Sequence, residues 1–155
     1  MVDGAHAPGM VELDVLSIGC AYYTGNFHKW VCTPKGAAFL WVRRDRQDGL
    51  RPLSISHGAN AVLRRSRFRL EFDWAGTADP TPFLTVPAAI RFLNQAFDGG
   101  LPALRQRNRD LALAARDLLC GALGIGAPVP DSMIGSLVSL PLPDGDLEPP
   151  APQWT

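Results

Sequence analysis

The chain has 155 residues, 46% hydrophobic and 19% charged, which suits a soluble globular domain with a sizeable core. Fifteen basic residues balance fifteen acidic ones, which argues against a nucleic-acid or anionic-membrane surface. Cys20, Cys32 and Cys120 are odd in number and form no C-x-x-C pair, so neither a disulfide framework nor a cysteine-rich zinc site is expected, and no metal. A reducing, cytoplasmic compartment follows as the simplest reading. No apolar run reaches the roughly 18 residues of a membrane span, and no signal peptide is visible.

Residues 2–9 read as a strand end opening into a loop dense in glycine and proline, with Asp3 and His6 three apart in it. Residues 10–18 read as a short helix or an irregular segment. Residues 21–23 read as a short strand that delivers a loop at 24–29. That loop is polar at its centre and aromatic at its edges. Lys29 stands in it between His28 and Trp30, an apolar and partly cationic setting that favours the free amine an imine-forming lysine needs. Residues 37–42 are an apolar run bounded by charge, and read as a buried strand.

The stretch 43–49 reads as a polar turn, 53–55 as a short extended piece, and 56–60 as a loop holding an exposed His57. Arg64, Arg65, Arg67 and Arg69 read as a solvated or interface face. In the loop 72–80, Gly76 and Thr77 leave backbone N–H groups open to an anion. Thr81 or Asp79 is expected to cap a helix over 83–97 with Val86, Ile90, Leu93 and Phe97 as its apolar stripe. A second helix over 101–123 is expected to bury Leu104, Leu111, Ala115, Leu118 and Leu119 and to stop at Gly124-Ile125-Gly126. Residues 134–140 read as a strand, followed by a tail rich in proline and aspartate. The order of strands, then two helices, then one strand predicts an α/β fold. The abrupt ends read as those of a piece of a larger protein.

Four of these stretches together resemble one family: VDGAHAPG at 2–9, YYTGNFHKW at 22–30, PKGAAFLWV at 34–42 and FDWAGTADPTPFLTVPAAIRFL at 72–93. The chain resembles the class V aminotransferase family of fold-type I pyridoxal phosphate enzymes, in its isopenicillin N epimerase-like branch, over most of residues 1–125. The resemblance implies a large-domain segment over 1–100, the end of a mixed sheet with packed helices. It implies a linking helix over 101–124 and the start of a small C-terminal domain over 125–155.

It also implies roles for particular residues. Lys29 would carry pyridoxal 5'-phosphate as a Schiff base. His28 would contact the cofactor phosphate, with Thr24 or Asn26 sharing it. Asp3 would pair with the pyridinium nitrogen, and His6 would meet the phenolate oxygen or line the ring. Gly76 and Thr77 would reach the phosphate held by a partner subunit, which implies a homodimer. The ring-stacking residue and the substrate-carboxylate arginine would lie outside this chain.

Those residue types suit the chemistry. A carboxylate beside a pyridine nitrogen keeps it protonated, and the protonated ring draws electrons from the substrate α-carbon. A lysine amine released from the imine is placed to move a proton at that carbon. The expected function is therefore that of a pyridoxal phosphate enzyme acting on an amino acid by epimerisation, transamination or C–S cleavage. The alternative is a non-catalytic remnant that binds at most the cofactor or a partner chain. A nucleotide-binding module is the third possibility, but the chain lacks both G-x-x-x-x-G-K-[ST] and G-x-G-x-x-G.

Overall fold

The structure, a computed structural model, describes residues 1–145; most of the expected proline-rich tail lies outside the described residues. Its elements are β1 (Val2–Asp3), α1 (Val15–Ile18), β2 (Tyr22–Asn26), β3 (Ala38–Val42), α2 (Arg67–Phe72), α3 (Thr81–Leu84), α4 (Val86–Ala96) and α5 (Gly100–Leu123). Short 3-10 turns occur at Arg44–Arg46, His57–Ala59 and Asp131–Met133. β1 pairs parallel with β2, and β2 antiparallel with β3. The fold is thus α/β with a small mixed sheet, compatible with part of a fold-type I domain. The chain forms two compact units, Met1–Arg105 and a second beginning at Gln106.

The core of the first unit lies on one face of the sheet. Alternation along β2 puts Tyr23 and Gly25 on the buried side, and Thr24 and Asn26 on the half-buried side. The register sets Gly25 opposite Phe39 and Tyr23 opposite Trp41. The Tyr23 and Phe39 rings stack at 6.0 Å, and Phe27 meets Phe39 at 5.3 Å. Such pairs contribute about 0.5–1.5 kcal/mol each beyond their buried area. The stack closes because two positions carry no side chain. A Cβ on Gly25 would stand 2.5 Å from the Phe39 ring and 2.9 Å from Pro8, and one on Gly4 would overlap the Tyr23 phenol.

Several expectations change. The strand expected at 21–23 runs to Asn26, so Thr24 and Asn26 belong to β2 rather than to a loop. β3 is only partly buried, with Leu40 44% exposed, because the sheet continues on one side of it only. Residues 53–55 form no strand, and Leu53 and Ile55 are exposed.

The arginine-rich stretch folds as α2. Ser66 caps it by accepting from the Arg69 N–H. Phe68 and Phe72 pack one turn apart at 4.6 Å. Arg67 pairs with the buried Glu71, Arg51 approaches Glu71 at 3.6 Å, and Arg69 pairs with Asp73 at 3.3 Å. These arginines stay solvent-exposed, as expected, while pairing with those carboxylates.

The helix expected over 83–97 begins at Thr81 and divides at Thr85 into α3 and α4. Pro87 lies in the first turn of α4 and has no N–H to continue the ladder through the break. Pro80, not Thr81 or Asp79, takes the N-cap position; Asp79 stands one residue before it and accepts from the Thr81 N–H at 2.9 Å. Leu93 is the buried member of the expected stripe.

The second unit is built around a charge rather than a leucine stripe. α5 buries Ala112, Arg116 and Cys120, one turn apart, while Leu111, Leu118 and Leu119 are exposed. Arg116 donates to Asp131 at 2.6 Å and to Asp117 at 2.8 Å. Arg109 donates to the carbonyls of Asp131 and Ile134. These bonds fasten the segment after the helix and turn the Arg116 face inward. Residues 134–140 form no strand, because no described strand pairs with them; Ile134 alone is buried.

Gly25→Ala is expected to lower stability by about 1–3 kcal/mol, since its methyl group would overpack the ring stack. Gly49→Ala, where nothing stands within 4 Å of the added carbon, is the control and should change stability by less than about 0.5 kcal/mol. Urea unfolding midpoints of the two variants check this.

Candidate cofactor-lysine site

Two loops leave the adjacent, parallel ends of β1 and β2, the side of an open α/β sheet where ligands bind. The first begins as the Gly4 N–H donates to the Thr24 carbonyl at 2.9 Å, and turns as the Ala7 N–H donates to Gly4 at 2.8 Å. The Asp3 carboxylate accepts from the Ala5 N–H at 3.0 Å with one oxygen, leaving the other without a hydrogen-bond partner among the described residues. Pro8 is buried beneath this loop. Gly9, at φ 84°, passes so close to the Trp30 backbone that a Cβ would stand 2.8 Å from it.

The second loop is pinned on one carbonyl. The N–H groups of Phe27 and His28 both donate to the Ala37 oxygen, at 2.9 and 3.3 Å. The His28 ring adds a third donor, Nδ1, at 3.0 Å. Its Nε2 has no partner among the described residues. The chain then turns through Cys32, a non-glycine residue at φ 59°, whose N–H donates to the Lys29 carbonyl at 3.2 Å.

Against each other, the two loops bring Lys29 Nζ to 3.0 Å from His6 Nε2, and Trp30 Nε1 donates to His6 Nδ1 at 3.3 Å. His6 is exposed, and Lys29 and Trp30 are half-buried. The neighbours expected to flank the amine were His28 and Trp30. Instead the His28 ring is turned to Ala37, and Trp30 reaches the lysine through His6. The resemblance put Asp3, His6 and Lys29 around one cofactor, but it carried no direct contact between His6 and the Lys29 amine.

The other candidate residues fall into two groups. Thr24 and Asn26 stand half-buried on β2 beside the lysine loop and make no side-chain hydrogen bonds among the described residues. Gly76 and Thr77 belong to another place: they line a cleft of about 790 Å³ beside β3, with Phe68, Phe72 and Trp74. No described hydrogen bond joins them to Lys29, His6 or Asp3. Gly76 sits at φ 127° with open space where a side chain would stand, so backbone conformation rather than crowding favours glycine there. Among the described residues no helix is long and apolar enough to cross a membrane.

Tyr23 backs the site. It is 2% exposed, and burial first, then the nearby Cys20 and Asp3, raise its phenol above the ordinary value of 10.0. In the folded chain the proton is therefore held to higher pH than in the unfolded chain.

No family model matches the chain. It is similar to isopenicillin N epimerase of Streptomyces clavuligerus, 37% identical over 94% of this chain and 39% of that protein. It is also similar to putative L-cysteine desulfhydrase 2 of Oryza sativa subsp. japonica, 35% identical over 92% of this chain and 29% of that one. The probable chloroplastic L-cysteine desulfhydrase of Arabidopsis thaliana is 32% identical over the same share, 92%, of this chain. These matches, over more than nine-tenths of the chain, are consistent with a class V aminotransferase-like piece related to the isopenicillin N epimerases and L-cysteine desulfhydrases. The chain spans between 29% and 39% of the length of these relatives.

The raised Tyr23 phenol gives a pH prediction. Its contribution to stability is complete below the unfolded value of about 10 and is lost as pH rises through the higher folded value. Stability of the wild type is expected to fall above pH about 10, and Tyr23→Phe to flatten that fall. Urea midpoints across the alkaline range, with phenolate absorbance, check it.

Proposed function

We propose that this chain carries the cofactor lysine of a pyridoxal phosphate-dependent enzyme acting on an amino acid, by epimerisation, transamination or C–S cleavage. The observation that carries the reading is the Lys29 amine, presented at the parallel strand ends and hydrogen-bonded by a neighbouring imidazole at 3.0 Å. The names of its relatives, epimerases and cysteine desulfhydrases, support it.

The donor set suits the cofactor. Lys29 offers a primary amine for an aldehyde. Asp3 has a carboxylate oxygen without a partner among the described residues, suited to a ring N–H. His28 Nε2 is likewise unengaged, and with the Thr24 hydroxyl or the Asn26 amide it suits a phosphate. When bound, the cofactor supplies an electron sink for charge developing at the substrate α-carbon.

The chain's own residues do the rest. Asp3 holds a proton at the ring nitrogen, and His28 with Thr24 or Asn26 fixes the phosphate end. His6 orients the Lys29 amine and, with the cofactor bound, would meet its phenolate oxygen or line the ring. Lys29 removes the substrate α-proton and returns it. Epimerisation and C–S cleavage of an amino acid share that loss of the α-proton, so one placement of Lys29 serves both. Gly76 and Thr77 lie outside this cluster, and in a homodimer they act on the phosphate held by the other subunit.

The chain contains two lysines, Lys29 and the exposed Lys35, so it holds its own control. Incubation with pyridoxal phosphate, borohydride reduction and peptide mapping should place the label on Lys29, and Lys29→Ala should abolish it. Label on Lys35 alone contradicts the reading. Label on Lys29 with no turnover of any amino acid supports the alternative, a chain that binds the cofactor without catalysis.

A further inference from the structure

We propose that Trp30 is a positioning residue that keeps Lys29 in its nucleophilic form by fixing the tautomer of His6; the inference deepens the reading of Lys29 as the cofactor lysine and rests on it. It follows from what each group is able to donate. The Trp30 indole nitrogen is a donor only. It donates to His6 Nδ1 at 3.3 Å, so Nδ1 carries a lone pair and no proton. The ring proton of a neutral His6 is then on Nε2. Nε2 lies 3.0 Å from Lys29 Nζ and donates to it. Only an unprotonated amine has a lone pair to accept that bond.

The opposite order fails. An ammonium at Lys29 would need the lone pair of Nε2, which would move the ring proton to Nδ1 and set it against the indole N–H. A doubly protonated His6 would oppose the indole in the same way. The two hydrogen bonds are therefore satisfied together only when His6 is neutral and the Lys29 amine accepts. No other charged side chain hydrogen-bonds to His6 or Lys29 among the described residues. Of the remaining titratable groups on these loops, Asp3 accepts from Ala5, the His28 ring is turned to Ala37, and the Cys32 thiol points to the Trp30 carbonyl. Lys35 is exposed. Behind the loops Tyr23 is buried.

A purely structural Trp30 would pack equally well as phenylalanine. Trp30→Phe keeps a ring and loses the donor. His6→Gln keeps the order, since one amide carries both an acceptor for Trp30 and a donor for Lys29, whereas His6→Phe breaks it.

Two measurements test this. The first is a long-range proton–nitrogen correlation spectrum of the histidine rings at neutral pH, with no cofactor present. It should show His6 of the wild type with a bare Nδ1 and a protonated Nε2, and of Trp30→Phe with a mixture of tautomers. The second is the pH profile of pyridoxal phosphate capture on Lys29, read by borohydride trapping. Its midpoint should rise by about one pH unit in Trp30→Phe, a loss of up to roughly tenfold at neutral pH, with the plateau at high pH unchanged. His6→Gln should keep the wild-type midpoint and His6→Phe should shift it.

A protonated Nδ1 in the wild type, or an unmoved midpoint in both Trp30→Phe and His6→Phe, overturns the proposal. Capture absent from Lys29 in the wild type overturns the cofactor reading instead, and the tautomer spectrum still decides the role of Trp30.

Discussion

The site depends on side chains that are missing. Gly4 and Gly25 leave room for Tyr23 and Phe39 to stack across the sheet, and for Pro8 to settle under the loop after β1. Gly9 then lets that loop run against the backbone of Trp30. Each contact is a close approach of rings or backbone that a single methyl group would obstruct. Together they hold the Asp3–His6 turn over the Lys29–Trp30 turn, although His6 and Lys29 stand 23 positions apart in the chain. The hydrogen bonds in the site are individually modest. Packing sets their geometry.

The resulting cluster has a direction. A donor-only indole, an imidazole with two distinct nitrogens and a lysine amine stand in line, and each fixes the next. His28, adjacent in sequence to the lysine, is set aside from this line by the Ala37 carbonyl and keeps one nitrogen without a partner among the described residues. The two histidines of the site are thus oriented by different partners and are suited to different tasks, one beside the amine and one beside an anion.

The sequence made the strands, the long helix and the lysine loop readable, because alternation, periodicity and glycine breaks are local. It did not show what depends on distant partners. Arg67 and Arg69 read as a solvated or interface face and are exposed, but their pairing with Glu71 and Asp73 one helical turn away was not read, although Ser66 and the Phe68–Phe72 spacing signal a helix start. The apolar stripe of α5 pointed to Leu111 and Leu118, but Arg116 decides the face, through carboxylates at Asp117 and Asp131. The alternating pattern at 134–140 implied a strand, yet a strand needs a neighbour to pair with. For the site, Asp3, His6, His28 and Lys29 were readable as a set by resemblance. That His6, and not His28, meets the amine was legible only once the two loops were packed together.

The central claim is that this packing delivers the Lys29 amine, with Asp3 and His6, to one pyridoxal phosphate. A crystal structure of the chain grown with pyridoxal phosphate tests it most directly. The account predicts continuous density from Lys29 Nζ to the cofactor's aldehyde carbon, the Asp3 carboxylate against the ring nitrogen, and His28 Nε2 against the phosphate. A cofactor joined to Lys35, or one on Lys29 with its ring nitrogen turned away from Asp3, would contradict it.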